Sequence, residues 1–108
     1  MVKTLLTAED LLAGADASFE VDIPEGMLPA LKGANAVVQI RPLSIGAFQL
    51  ILKAAKNDAA LIPLLMIKEA LTEPALSIDQ VKRLPLGLVD FLVEHIREVS
   101  GLTQKKSP

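Results

Sequence analysis

No cysteine occurs among the 108 residues. That excludes disulfides and thiolate metal sites, and it suits a cytosolic setting. Tryptophan and tyrosine are also absent, and only three Phe are present. Almost nothing is therefore available to stack on a nucleic-acid base. Positive charge is not in excess either. Eleven Lys and Arg stand against thirteen Asp and Glu, a formal charge of −2. A surface that tracks phosphates is disfavoured, and no nucleic-acid partner is expected. One His excludes a multi-histidine metal site. The longest unbroken apolar run covers residues 59–67 and contains Pro63, whereas a spanning helix needs about 20 residues. No membrane partner is expected. Glu9 and Asp10 interrupt the N-terminal leucine pairs, so an export signal is not expected there either.

What remains is aliphatic. Half the chain (51%) is apolar, dominated by Leu and Ala, which favours helices around one core. A mainly α (α+β) domain over residues 5–102 is expected, with four to five helices and a two-stranded antiparallel N-terminal ribbon. A basic tail over residues 103–108 is expected to be disordered. Thr7 can cap a short helix that Gly14 and Asp16 end. Residues 18–23 alternate, with Phe19, Val21 and Ile23 on one face and Glu20 and Asp22 on the other, and this reads as a strand. Pro24 to Gly26 stop it, residues 27–32 form a loop or single turn, and Gly33 and Asn35 close that turn. Residues 37–41 form the second strand, ended by Pro42.

Beyond Pro42 the apolar period becomes helical. Ser44 caps a helix to Lys56, with Ile45, Phe48, Ile51, Leu52 and Ala55 inward. Asn57 or Asp58 caps the next helix, residues 58–72, which Pro74 halts. Its inward stripe is Ile62, Met66, Ile67, Ala70 and Leu71. Ser77 and Gln80 make a capping box for a short helix to Arg83. Pro85 breaks the chain again. The last helix covers residues 86–99, with Leu88, Val89, Leu92, Val93, Ile96 and Val99 inward and Gly101 as its stop.

Catalytic constellations are missing from this pattern. The six glycines match no phosphate loop. The serines read as caps and turns. His95 sits at the edge of an apolar stripe, as a helix-surface histidine does. No enzyme activity, cofactor or metal is expected. Two surfaces are candidates for partner binding. Asp90, Glu94 and Glu98 form an acidic stripe at one-turn spacing, either a solvated face or a contact for a basic partner. Leu61 and Leu65 fall among Asp58, Lys68, Glu69 and Thr72 when residues are placed at about 3.6 per turn. They form either an interface for self-association into a homo-oligomer or a pair covered by another segment.

Three strings carry a resemblance: V-V-Q-I-R-P-L-S-I-G-A-F-Q from Val37, A-L-T-E-P-A-L-S-I-D-Q-V-K-R-L-P from Ala70, and L-V-D-F-L-V-E-H-I-R-E-V-S-G-L ending at Leu102. Over residues 19–102, and chiefly 37–102, the chain resembles the small tail assembly chaperones of long-tailed bacteriophages and prophages. The shared features are an acidic strand pair, an R-P-L-S step into helices, a Pro hinge before a cap, an L-P break and a final helix ending S-G-L. The resemblance implies a non-enzymatic virion-assembly factor acting in the host cytoplasm. Such a factor coats the tape measure protein, recruits the tail tube protein and is absent from the mature virion. It also implies a longer product made by ribosomal frameshifting, for which Lys105-Lys106 would mark slippery codons; the other reading of those lysines is an ordinary solvated tail. Two other readings are a small structural protein kept in the particle, such as a tail-completion or connector subunit, and a DNA-binding regulator. The regulator would use residues 78–83 and 86–99 as a helix-turn-helix, but the second helix bears the acidic stripe.

Overall fold

A computed structural model describes residues 3–14, 17–28 and 36–101. It shows a small α+β domain with five helices and one three-stranded sheet among those residues. The strands are β1 (Phe19–Asp22), β2 (Val37–Ile40) and β3 (Leu71–Glu73). The helices are α1 (Ala8–Leu12), α2 (Ile45–Ala55), α3 (Leu61–Ala70), α4 (Ile78–Val81) and α5 (Leu86–Val99). The proposed tail at 103–108, Asp16, and the closing residues Gly33 and Asn35 lie outside the described residues.

The first strand pair follows the alternation in the sequence. Phe19 pairs with Ile40 and Val21 with Val38 in an antiparallel register. Val21 and Ile23 are buried and Glu20 and Asp22 face solvent, but Phe19, expected on the buried face, is exposed at the start of β1. Gly26 has φ +98 and closes the turn in which the Met27 amide donates to the Pro24 carbonyl, a backbone position that suits glycine.

The expected ribbon has a third strand. The helix expected to run to Thr72 ends at Ala70, and Leu71 is already extended. Pro74 disfavours helical backbone just before it, and Thr72 is β-branched. The freed groups go to β2. The Arg41 amide donates to the Ala70 carbonyl (2.9 Å), and the Thr72 hydroxyl donates to the Gln39 carbonyl (3.1 Å). A bulge between Gln39 and Ile40 absorbs the change of register. β2 thereby becomes the central strand, which accounts for Ile40 being fully buried. Three residues are too few for alternation to register in a sequence.

α3 also starts later than expected. Asp58 does accept a backbone amide, from Ala60 at 3.1 Å, but this closes a turn ahead of the helix. The helix proper begins at Leu61, with Ala60 at its N-cap and no side-chain cap. Pro63 then lies in the first turn, where a missing N–H leaves no helical bond unmade.

The capping signals are realised elsewhere. Thr7 and Asp10 bond reciprocally, as do Ser77 and Gln80. Ser44 accepts the Ala47 amide at 3.1 Å. α4 ends at Val81, short of Arg83. α5 has the expected bounds, and Gly101 follows it at φ +77. Its inward residues Leu88, Val89, Leu92 and Ile96 are buried, with Val93 and Val99 partly so.

α3 is the hub. It packs on α2, α4 and α5 and leads straight into β3. Ile40, Ile67, Val81 and Ile96, from four different elements, are the fully buried large side chains. On α2 the expected apolar side is corrected. Ile51 and Ala55 are buried and Phe48 is half-buried, but Ile45 (74%) and Leu52 are exposed, as is Leu50 (65%). α3 covers only the Ile51–Ala55 flank. The apolar residues on α2 extend around more of the helix than one neighbour can cover.

Candidate interaction surfaces

Four surface features are built by these elements. The first is the groove between α2 and α3. Leu50, Ile51 and Ala54 from α2 face Leu65, Lys68 and Glu69 from α3 around about 150 Å³. Leu65 is half-buried and packs against the core, so it is less open than a fully wet position. Leu61 is also half-buried, in the first turn of α3. The groove sets Leu65 opposite Leu50, a residue the spacing within α3 does not announce, and Leu61 is not part of its lining. Its rim is electrostatically uneven. Arg41 holds Glu69 through a 3.7 Å ion pair and a bond from Nε to the Glu69 carbonyl. Lys68 is exposed beside it, and Lys53 is exposed on α2 next to Leu52 and Ala54.

The second is the α5 stripe. Asp90, Glu94 and Glu98 are all exposed at one-turn spacing. Arg97 lies in the last turn and favours the helix end, while Glu98 opposes it. The stripe belongs to a different element from the α2–α3 groove, so the candidate residues form two surfaces. His95, on the same helix, is half-buried. Its Nδ1 donates to the Phe91 carbonyl at 3.0 Å, and its ring lies 4.3 Å from the Phe91 ring. Those contacts are internal to α5.

The third is an apolar pocket of about 200 Å³ whose lining includes Ile23, Val38, Leu71, Leu76, Leu84 and Leu92. Every lining side chain is apolar. The pocket gathers residues from β1 to α5, so no local spacing could have revealed it. The fourth is the N-terminal arm. Thr7 caps α1, yet Leu5 (95%), Leu6 (54%), Leu11 (71%) and Leu12 (68%) are exposed. The signal for this arm was present in the sequence as two leucine pairs around Glu9 and Asp10. The Thr7 backbone N–H, and then its hydroxyl, hold the Asp10 carboxyl below its ordinary pKa.

Among the described residues, no group of three or more His, Cys, Asp or Glu is arranged to hold a metal ion. No described helix is long and apolar enough to cross a membrane. No family model matches the chain, and comparisons with curated proteins and with solved structures return no match.

Proposed function

We propose that the protein is a non-enzymatic tail assembly chaperone of a long-tailed bacteriophage or prophage. In this reading it binds the tape measure protein in the host cytoplasm, helps recruit tail tube subunits and leaves before the virion matures. The observation that carries the reading is the wholly apolar pocket between the sheet and α5. A tape measure chain is long and helical, and its apolar stripes aggregate unless covered. An aliphatic pocket without rigid aromatic anchors suits many similar leucine- or isoleucine-bearing helices at modest affinity each. Many weak contacts along one long chain then add through multivalency. The acidic stripe Asp90, Glu94 and Glu98 supplies a second contact to basic residues of such a helix.

The test is co-expression of the full chain with the tape measure and tail tube proteins of the same phage. The tape measure protein should remain soluble and co-purify with the wild type. Leu84→Ala, in the pocket wall and packed against the core, should weaken co-purification, with circular dichroism verifying that the variant stays folded. A tape measure protein whose solubility ignores the presence of this chain refutes the reading. Mass spectrometry of purified particles checks the other half, since a chaperone is missing from them and a tail-completion subunit is present.

A further inference from the structure

We infer that the N-terminal arm, residues 3–14, is a self-association element that docks in the α2–α3 groove of a second copy of this chain. The arm is built as a ligand. Thr7 and Asp10 cap its single helical segment, and on that segment Leu11 and Leu12 share one side while Asp10 faces away from them. None of its four leucines joins the core, and their exposures run from 54% to 95%. A helix of five residues is marginal by itself, so an apolar surface that receives these leucines stabilises it.

The groove is built as the receptor. Leu50 is 65% exposed at its edge, Ala54 leaves room beside it, and Leu65 forms its other wall. Charge favours this surface over the α5 stripe and the β1 edge. The arm carries Glu9 and Asp10 against one Lys3. At the groove Lys68 is exposed and Glu69 is engaged by Arg41, and the exposed Lys53 lies one helical turn from Leu50 on α2. Glu9 flanks Leu12 on the helix surface and so approaches a rim lysine when Leu12 enters the groove. The α5 stripe is acidic and repels the same arm. Sheet-edge pairing through β1 is disfavoured as well, because Glu20 and Asp22 would oppose the same acids of the other copy.

The occupant is another copy's arm. Docking within one chain would gain from a high effective concentration, yet the arm's leucines face solvent in the single chain. Each chain offers one arm and one groove, so reciprocal exchange closes a two-fold dimer. The contact is separate from tape measure binding, which the pocket and the α5 stripe are proposed to supply.

The experiment is sedimentation velocity on three full-length proteins: wild type, the arm variant Leu11→Glu with Leu12→Glu, and the groove variant Leu50→Glu. All three substituted residues are exposed, so the fold is retained, as circular dichroism verifies. The wild type should self-associate, and each variant should lose association by at least about 100-fold. An equal mixture of the two variants should regain a heterodimer, because one partner keeps its arm and the other its groove. A symmetric patch would show no such rescue. A wild type that stays monomeric, a variant that assembles as the wild type does, or a mixture without heterodimer overturns the inference.

Discussion

Removing the Ser100 hydroxyl should destabilise the domain by about 1–2 kcal/mol. Ser100 caps the C-terminal end of α5, and its Oγ accepts the Leu43 amide at 2.8 Å across 57 residues of sequence. Leu43 lies between Pro42, which has no N–H, and Ser44, whose own hydroxyl caps α2. In Ser100→Ala the Leu43 amide loses this acceptor. Leu43 is only half-buried, so water relieves part of the full cost of about 1–3 kcal/mol for an orphaned donor. Alanine's better helix propensity returns a few tenths of a kcal/mol. At about 4–8 °C per kcal/mol for a domain of this size, Tm should fall by roughly 4–16 °C. Urea unfolding followed by far-UV circular dichroism is the assay, because there is no Trp or Tyr to report by fluorescence. The slope m should not change, and Ser100→Thr, which keeps a hydroxyl, should lose less. A Ser100→Ala midpoint within error of wild type, or a Thr variant as damaged as Ala, would refute the reasoning.

Lys56 occupies φ 53, ψ −118 at the turn closed by the Asp58 amide on the Ala55 carbonyl (2.9 Å), a conformation that favours glycine. Lys56→Gly should therefore raise stability by about 0.5–2 kcal/mol, the relief of strain less glycine's entropy cost, measured as an upward shift in Tm. Acidification should loosen the arm. The folded pKa of Asp10 lies below its unfolded value, so its cap contributes above about pH 4 and is lost as pH falls through the folded value. Protection of the Thr7 amide, which donates to that carboxyl at 2.9 Å, should fall relative to an unstructured peptide below that pH, and Asp10→Asn should weaken the dependence. Ile67→Ala should cost about 2–5 kcal/mol by leaving a cavity at the hub helix, read by the same urea titration.

The elements that sequence made legible are those whose signal is local. α5 matches its expected bounds because its apolar stripe is long and lies between Pro85 and Gly101. The Thr7, Ser44 and Ser77 caps are each decided within four residues. The failures share one cause, which is that a distant partner decided the outcome. Residues 71 and 72 left the expected helix because β2 offered them a ladder. Ile45 and Leu52 lie on an apolar arc but have no neighbour over them. Leu61 and Leu65 form a pair on sequence, but only Leu65 lines the groove, where Leu50 on α2 faces it, and no spacing within α3 announces that. The apolar pocket is the extreme case, since it assembles residues from Ile23 to Leu92.

The same distinction bears on the motifs behind the resemblance. The R-P-L-S step and the S-G end of the last helix are far apart in sequence, yet the Leu43 amide and the Ser100 hydroxyl join them. Arg41, at the head of the first string, reaches Glu69 and the Ala70 backbone at the head of the second. These strings therefore act as joints that hold β2, α3 and α5 in register. Joints of this kind constrain the fold and leave the partner unspecified. Partner choice has to come from residues that the joints leave on the surface: the arm leucines, Leu50 beside the groove, and the open wall of the pocket. Changing Ser100 should disturb stability before binding, and changing Leu50, which is largely exposed, should disturb association before stability. The order of those two losses separates scaffold from surface in this chain.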